Sequence, residues 1–177
     1  MKRHIDTETD IKNINGLMGW VGMTKEMPDI TDIANWFLSK TSIQHKKLQK
    51  LSYYAVSWGY ALLDSPICKN DEFEAWIHGP VSPILYDKYK NCGWVPIPQV
   101  NAEQVPPLED LTEDVLEFVW ESYGELTQFQ LENLTHSETP WRRARSNIPE
   151  FDRSNNLIDI NDMKSYYREL FFADQND

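Results

Sequence analysis

Cysteine, glycine and long apolar runs are all scarce in this chain of 177 residues. Its two cysteines are too few for a disulfide framework, so we expect a hydrophobic core in a reducing, cytoplasmic environment. The longest uncharged run, Leu51 to Leu63, is shorter than the roughly 20 residues that a membrane-spanning helix needs. The N-terminus, MKRHIDTETD, is charged where a secretory signal requires an apolar stretch. We therefore expect neither export nor membrane insertion.

Basic residues are outnumbered as well. The 17 Lys and Arg residues against 28 Asp and Glu residues give a formal net charge of −11. Phosphate backbones and anionic lipid surfaces repel such a chain, so we expect no direct nucleic-acid or membrane partner. Apolar residues still make up 41% of the chain and aromatic residues 12%, which is enough for a packed core and excludes a largely disordered chain.

Motifs for catalysis, cofactors and metals are missing too. None of the four histidines stands in an HxxxH arrangement, and the chain has no CxxC pair, so we predict no metal site. Neither GxxxxGK[ST] nor GxGxxG is present to hold a phosphate. We therefore predict no catalytic residue and no cofactor. One enzymatic alternative stays open, in which His78 or His136 acts with a nearby acid such as Glu74 or Glu138.

The hydrophobic pattern predicts a mainly α fold with a small β component. We expect six to seven helices around a buried central helix, with a minimal sheet of two to three strands. The central helix should run from about residue 42 to Leu63, because its second half, from Leu51, carries no charge on any face. Its first half, Gln44 to Lys50, is polar and basic, and we expect it to precede the buried part. Alternation over 72–78 predicts a strand that ends in a turn at Gly79-Pro80.

Capping residues delimit the other predicted elements. Residues 1–28 include a glycine-rich apolar island and are predicted to be an N-terminal extension of a domain spanning 29–177. Residues 157–160 are predicted to pair with the first strand. The remaining helices are expected at about 32–39 (N-cap Thr31), 83–92 (Ser82), 113–123 (Thr112), 128–134 (Thr127), 140–145 (Thr139) and 162–172 (Asn161).

One stretch, residues 101–125, is acidic and holds no Lys or Arg. On a helix its carboxylates share an arc of about 120°, which we call the acidic face: Asp110, Glu113, Asp114, Glu117, Glu121 and Glu125. Four of them repeat at i, i+4, which costs about 0.2–0.5 kcal/mol per like-charge pair, and no cation in the stretch offsets that cost. The face is either solvated surface or a docking surface for a basic protein. The candidate partner-binding residues are Glu113, Glu117 and Glu121, together with the basic Lys46, Lys47 and Arg142.

Several segments, taken in this order, resemble a known family. They are IANWFL at 33–38, KLQKLSYYA at 47–55, FEAWIHGPVSP at 73–83, LxxLTHxxxPW at 131–141 and MxxYY at 163–167. Together they resemble the Panacea antitoxin domain, also called SocA-like and found in phage-associated GepA-like proteins, over about residues 29–172.

The resemblance implies a mostly helical domain that neutralises a cognate toxin by direct protein binding, as one half of a toxin–antitoxin system. Toxins paired with the family include small alarmone synthetase-like enzymes. One SocA-like member delivers its toxin to a protease, so a proteolytic adaptor, tethered through 1–28 or 171–177, is the alternative. The motif residues fit scaffold roles, with Trp76 in the core and His136 donating to backbone carbonyls near Trp141. These residues are Trp36, Gln49, Leu51, Tyr54, Trp76, Gly79, Pro80, His136, Pro140 and Trp141.

Overall fold

Seven α-helices and one antiparallel hairpin make up residues 26–174, the part of the chain that the computed structural model describes. The predicted mainly α fold with a minimal sheet is confirmed. The predicted extension, residues 1–28, lies almost wholly outside the described residues, so its separation from a domain at 29–177 stays a prediction. The elements are α1 (Ile30–Lys40), α2 (His45–Leu63), β1 (Glu74–Trp76), β2 (Gly79–Val81), α3 (Pro83–Tyr89), α4 (Asp110–Tyr123), α5 (Gln128–Ser137), α6 (Thr139–Ala144) and α7 (Ile160–Asp174).

Helix α2 is the centre of the core. It packs against α1, α4, α5, α7 and the hairpin, and every residue from Leu51 to Gly59 is buried. Because none of these side chains is charged, the helix can be enclosed on all faces without an unsolvated ion. The predicted central helix is thus confirmed. It begins at His45 rather than residue 42, since Ile43 is extended and exchanges two backbone hydrogen bonds with Ile97.

The first half of α2 is buried as well, contrary to the expectation from its polar sequence. His45, Gln49 and Lys50 are all classed with the interior, although Lys46 and Lys47 stay partly exposed. The cause is tertiary, because the β1–β2 hairpin covers this turn of the helix and its backbone supplies hydrogen-bond partners for the buried polar atoms.

Aromatic rings fill the space between α2, α4 and α7. Tyr54 stacks on Tyr123 with ring centroids 4.1 Å apart, and Trp58 donates from Nε1 to the Tyr123 hydroxyl over 3.0 Å. Tyr167 of α7 meets both Tyr54 and Trp58, at 6.0 and 5.2 Å between centroids. Large rings of this kind bury much apolar surface while their polar ends still find partners, so the interface holds three helices together.

The hairpin differs from its predicted form. Strands β1 and β2 pair with Ala75 opposite Pro80, and the turn consists of Ile77 and His78, so Gly79-Pro80 begins the second strand rather than forming the turn. Gly79 has φ of +95°, and a Cβ there would lie 2.6 Å from Lys50 Cε. Glycine at this position therefore permits both the positive φ that follows the turn and the close approach of α2. The predicted pairing of 157–160 reduces to one bridge, between Glu74 and Leu157.

Several helix ends also differ from the predicted caps. The α1 N-cap is Asp29 rather than Thr31, because the Asp29 carboxylate accepts from Thr31 N in a capping box with Asp32. Helix α4 begins two residues before Thr112, which is buried, and α7 begins at Ile160 rather than after Asn161. Helix α3 ends at Tyr89 and continues as a 3-10 turn over Lys90–Cys92. The Thr127 capping box with Gln130 is confirmed.

Candidate functional site

A cavity of about 750 Å³ lies between α2, the hairpin and residues 153–155. We call it the Lys50 cavity, after the residue that carries its most buried charge. It is lined by the Gln49-Lys50 pair of α2 and by the Trp76–His78 segment of the hairpin, which lie far apart in sequence. None of the described residues that line it is Asp or Glu, although the chain carries 28 acids.

Gln49 fastens the hairpin to α2 at the edge of this cavity. Its Oε1 accepts from Ser82 N over 2.8 Å, and its Nε2 lies 3.3 Å from Ser82 O and 3.1 Å from His45 Nε2. Burial, with Lys50 nearby, lowers the pKa of His45, so its ring is neutral at pH 7 and Nε2 can accept from the amide. Gln49 therefore has the scaffold position that its motif implied.

Lys50 places an ammonium group inside the protein. The residue is 2% exposed, and its Nζ donates to Pro80 O over 3.1 Å. Burial lowers the Lys50 pKa to about 7, against the opposing effect of Glu132. An ammonium offers three donors, and the hydrogen bond to Pro80 is the only one formed among the described residues.

Trp76 forms a wall of the cavity rather than part of the core. Its ring is half-buried, 4.7 Å from the Tyr86 ring, and its Nε1 donates to Glu74 over 2.6 Å. The expected core position is thus wrong. Alternation along β1 explains the outcome, because the neighbouring Ala75 takes the core-facing side and successive strand residues point to opposite faces.

The two histidines of the enzymatic alternative do not pair with the acids proposed for them. His78 is exposed, and its Nδ1 lies 2.8 Å from Glu132 Oε1. His136 lies inside α5, where its ring stacks on Trp141 at 4.2 Å, and it bonds to the backbone of Ile77 rather than near Trp141. Its Nε2 is buried without a partner among the described residues, and burial lowers the pKa of the ring. This environment favours a neutral scaffold histidine.

Glu138 is a buried carboxylate that joins three helices. Only 2% exposed, it accepts from Tyr54 over 3.2 Å and from Tyr167 over 2.6 Å, and its backbone caps α6. Burial raises the Glu138 pKa to about 7, although the two hydroxyl donors act in the opposite direction. The sequence pointed to Glu138 only as an acid near a histidine, and its burial against two tyrosines was not predicted because these partners lie on α2 and α7.

Five of the six carboxylates of the acidic face lie on the outer side of α4, as predicted, while Glu125 lies beyond the last helical residue, Tyr123. The carboxylates of this face are exposed, while Val115, Leu116 and Val119 face the core. No Lys or Arg within 101–125 offsets the like-charge repulsion, but Lys40 Nζ of α1 lies 2.7 Å from Glu117 Oε1 and offsets part of it from a neighbouring helix. That pair is the only ion pair that the acidic face forms within residues 26–174.

The basic partner-binding candidates are attached to different parts of the fold. Lys46 lines the Lys50 cavity, Lys47 donates to Gly124 O beyond the end of α4 over 2.5 Å, and Arg142 is exposed on α6. Nothing in their contacts tests a role in partner binding, so that role stays a prediction for these three residues and for the acidic candidates.

Arg145 has a structural role that sequence reasoning missed. Basic residues near helix ends usually serve solubility and the helix dipole, but Arg145 is buried. Its guanidinium donates to Ala75 O over 3.0 Å and to the carbonyls of Pro149, Glu150 and Asp152 over 3.3, 3.1 and 2.8 Å. One side chain thus ties the loop after α6 to β1, beside the residues that close the cavity.

Neither a metal-ligand cluster nor a membrane-spanning helix occurs within residues 26–174. No three His, Cys, Asp or Glu side chains there are grouped to hold a metal ion. No helix in this part of the chain is long and apolar enough to span a membrane.

The family described as antitoxin SocA-like, Panacea domain, matches residues 48–142. This is more than half of the chain, which therefore belongs to that family, as its sequence motifs predicted. No curated protein and no solved structure matched the chain. The matched segment contains α2 except for its first three residues, the hairpin and the acidic face. It holds nine of the ten motif residues, from Gln49 to Trp141, while Trp36 lies before it.

Proposed function

We propose that this protein is the antitoxin of a toxin–antitoxin pair and neutralises a cognate protein toxin by direct binding, without catalysis of its own. Membership of the SocA-like Panacea family is the observation that carries this proposal. The toxin class that we favour is a small alarmone synthetase-like enzyme. We infer that residues 29–177 form the domain that binds the toxin and that binding takes place in the cytoplasm.

We place the toxin interface on the acidic face. Glu113 and Glu121 are exposed and form no ion pair with the described residues, so the pair between Lys40 and Glu117 relieves only part of the repulsion inside the chain. An enzyme that acts on nucleotides needs cations around its substrate groove, and such a surface is complementary to the acidic face. Complementary charge chiefly speeds encounter, so the association rate is the quantity to measure.

The test is stopped-flow association with the purified toxin at low and high ionic strength. The variant is E113K/E121K, which leaves Glu117 in place because Lys40 pairs with it. The control is E72K/E169K, which makes the same change in net charge at two exposed positions outside α4. We expect E113K/E121K to associate at least about tenfold more slowly at low salt and with a weaker salt dependence, while the control changes little. Equal rates for the two variants would remove the acidic face from the interface.

An assay without any protease distinguishes two modes of neutralisation, direct blocking of the toxin and its delivery to a protease. We expect this protein, purified with its toxin alone, to abolish toxin activity at equimolar concentration. If the toxin stayed fully active until a cellular protease was added, the protein would be an adaptor instead.

A further inference from the structure

The Lys50 cavity has the size and wall chemistry of a small-molecule site. Its volume of about 750 Å³ lies inside the range of roughly 300–1,000 Å³ that such sites occupy. The rings of Trp76 and Tyr86, 4.7 Å apart, form one apolar wall, and the neutral His45 ring lies 5.7 Å from Tyr86. Flat aromatic walls of this kind bind flat apolar ligands by stacking and edge contacts.

The charge at the cavity has one sign. Lys46, Lys50 and Arg153 line it, and none of its described lining residues is acidic, although the chain as a whole has a net charge of −11. Glu132 approaches from outside the lining, where it pairs with His78 and lies 4.0 Å from Lys46. A cationic cavity inside an acidic protein attracts small anions more than its surroundings do.

The hydrogen bonding of Lys50 is a second indication of an anion site, independent of the shape and charge of the cavity. Within residues 26–174 the buried ammonium has one hydrogen-bond partner, Pro80 O, where it could have three. A buried polar group without its full set of partners is costly, and a bound anion would complete the set with charge-assisted hydrogen bonds. Burial lowers the pKa of Lys50 even against the opposing effect of Glu132, so that carboxylate does not fully compensate the buried charge.

We propose that the Lys50 cavity binds a small organic anion, with a planar aromatic body against Trp76 and Tyr86 and its carboxylate or phosphate on Lys50. The exposed Arg153 lies at the rim, where it reaches the same anionic group. This site is separate from the acidic face, and the proposal does not depend on toxin binding.

Isothermal titration calorimetry with defined probes tests the site. The probes are 2-naphthoate and 2-naphthyl phosphate, which carry both features, 2-naphthol, which lacks the anion, and acetate and inorganic phosphate, which lack the ring. We expect at least one aromatic anion to bind, and every probe with a single feature to bind at least about tenfold more weakly, the equivalent of one charge-assisted hydrogen bond. The stronger of the two aromatic anions identifies carboxylate or phosphate as the natural group.

Three variants assign the binding to the cavity. We expect Lys50→Met to weaken the better probe about tenfold or more and Arg153→Gln to weaken it a few-fold, while Lys88→Met, an exposed control outside the lining, leaves it unchanged. Arg153→Gln decides the question if Lys50→Met fails to fold. The proposal is overturned if neither aromatic anion binds at millimolar concentration, if 2-naphthol binds as tightly as 2-naphthoate, or if folded Lys50 and Arg153 variants bind like the wild type.

Discussion

Glu138 makes the stability of this protein depend on pH in an unusual direction. An ordinary salt-bridged carboxylate has a lowered pKa and loses its stabilising effect in acid. Glu138 is buried between two tyrosine hydroxyls, and burial raises its pKa from 4.5 to about 7. The folded protein therefore binds this proton more tightly than the unfolded chain does. Below pH 4.5 both states are protonated, between 4.5 and 7 stability falls, and above 7 the whole penalty is present.

The size of the effect follows from the shift. A rise from 4.5 to about 7, at about 1.4 kcal/mol per pKa unit, corresponds to a penalty of about 3 kcal/mol above pH 7. Glu138→Gln imitates the protonated acid, because its amide can donate to one tyrosine oxygen and accept from the other hydroxyl. The variant should therefore escape the penalty.

Urea unfolding at pH 5 and pH 8 measures the difference. We expect the unfolding free energy of Glu138→Gln, measured relative to that of the wild type, to be about 2–3 kcal/mol higher at pH 8 than at pH 5. The reason is that Glu138 is still mostly protonated in the folded wild type at pH 5. Glu169→Gln, an exposed substitution on α7, is the control and should show a pH-independent difference. If Glu138→Gln and wild type differ by the same amount at both pH values, the reasoning about this buried carboxyl is refuted.

Three further substitutions test the hairpin and its supports by the same unfolding measurement. Lys50→Met should stabilise the protein more at pH 6 than at pH 10. The pKa of Lys50 is about 7 in the folded protein and 10.5 in the unfolded chain, so the free-energy cost of burying the ammonium disappears as pH rises from 7 to 10.5. Equal stabilisation at both pH values would contradict this. Gly79→Ala should cost about 1–3 kcal/mol more than Gly93→Ala, since both have positive φ but only Gly79 lies against Lys50. Arg145→Gln should cost about 2–4 kcal/mol through its lost carbonyl contacts, against about 0.5 or less for the exposed Arg142→Gln.

The sequence predicts best what local pattern decides. The charge-free run from Leu51 indicates an enclosed helix, because burying it on all faces needs no partner for any ion, and α2 has that position. The Thr127 capping box and the exposed acids of α4 depend on neighbours within one helical turn, and both were predicted. Interactions between residues that are close in sequence are sufficient to determine these features.

Features that rest on distant contacts escaped prediction. Lys50 and Arg145 look like solvated basic residues, yet each is buried because carbonyls of the hairpin or of a later loop accept its hydrogen bonds. Trp76 was expected in the core since large aromatics usually are, and only the pairing of β1 shows which face it takes. The cavity itself was not predicted, because its walls come from α2, the hairpin and residues 153–155.

The central claim, neutralisation by direct binding, is tested most directly by titrating this protein into its purified toxin without any protease. The toxin to use is the cognate one, with its own enzymatic activity as the readout. We predict that toxin activity falls linearly to zero at a fixed molar ratio and that an equimolar mixture elutes as one complex in size-exclusion chromatography. Full toxin activity at a large excess of this protein, with the two eluting separately, would contradict it.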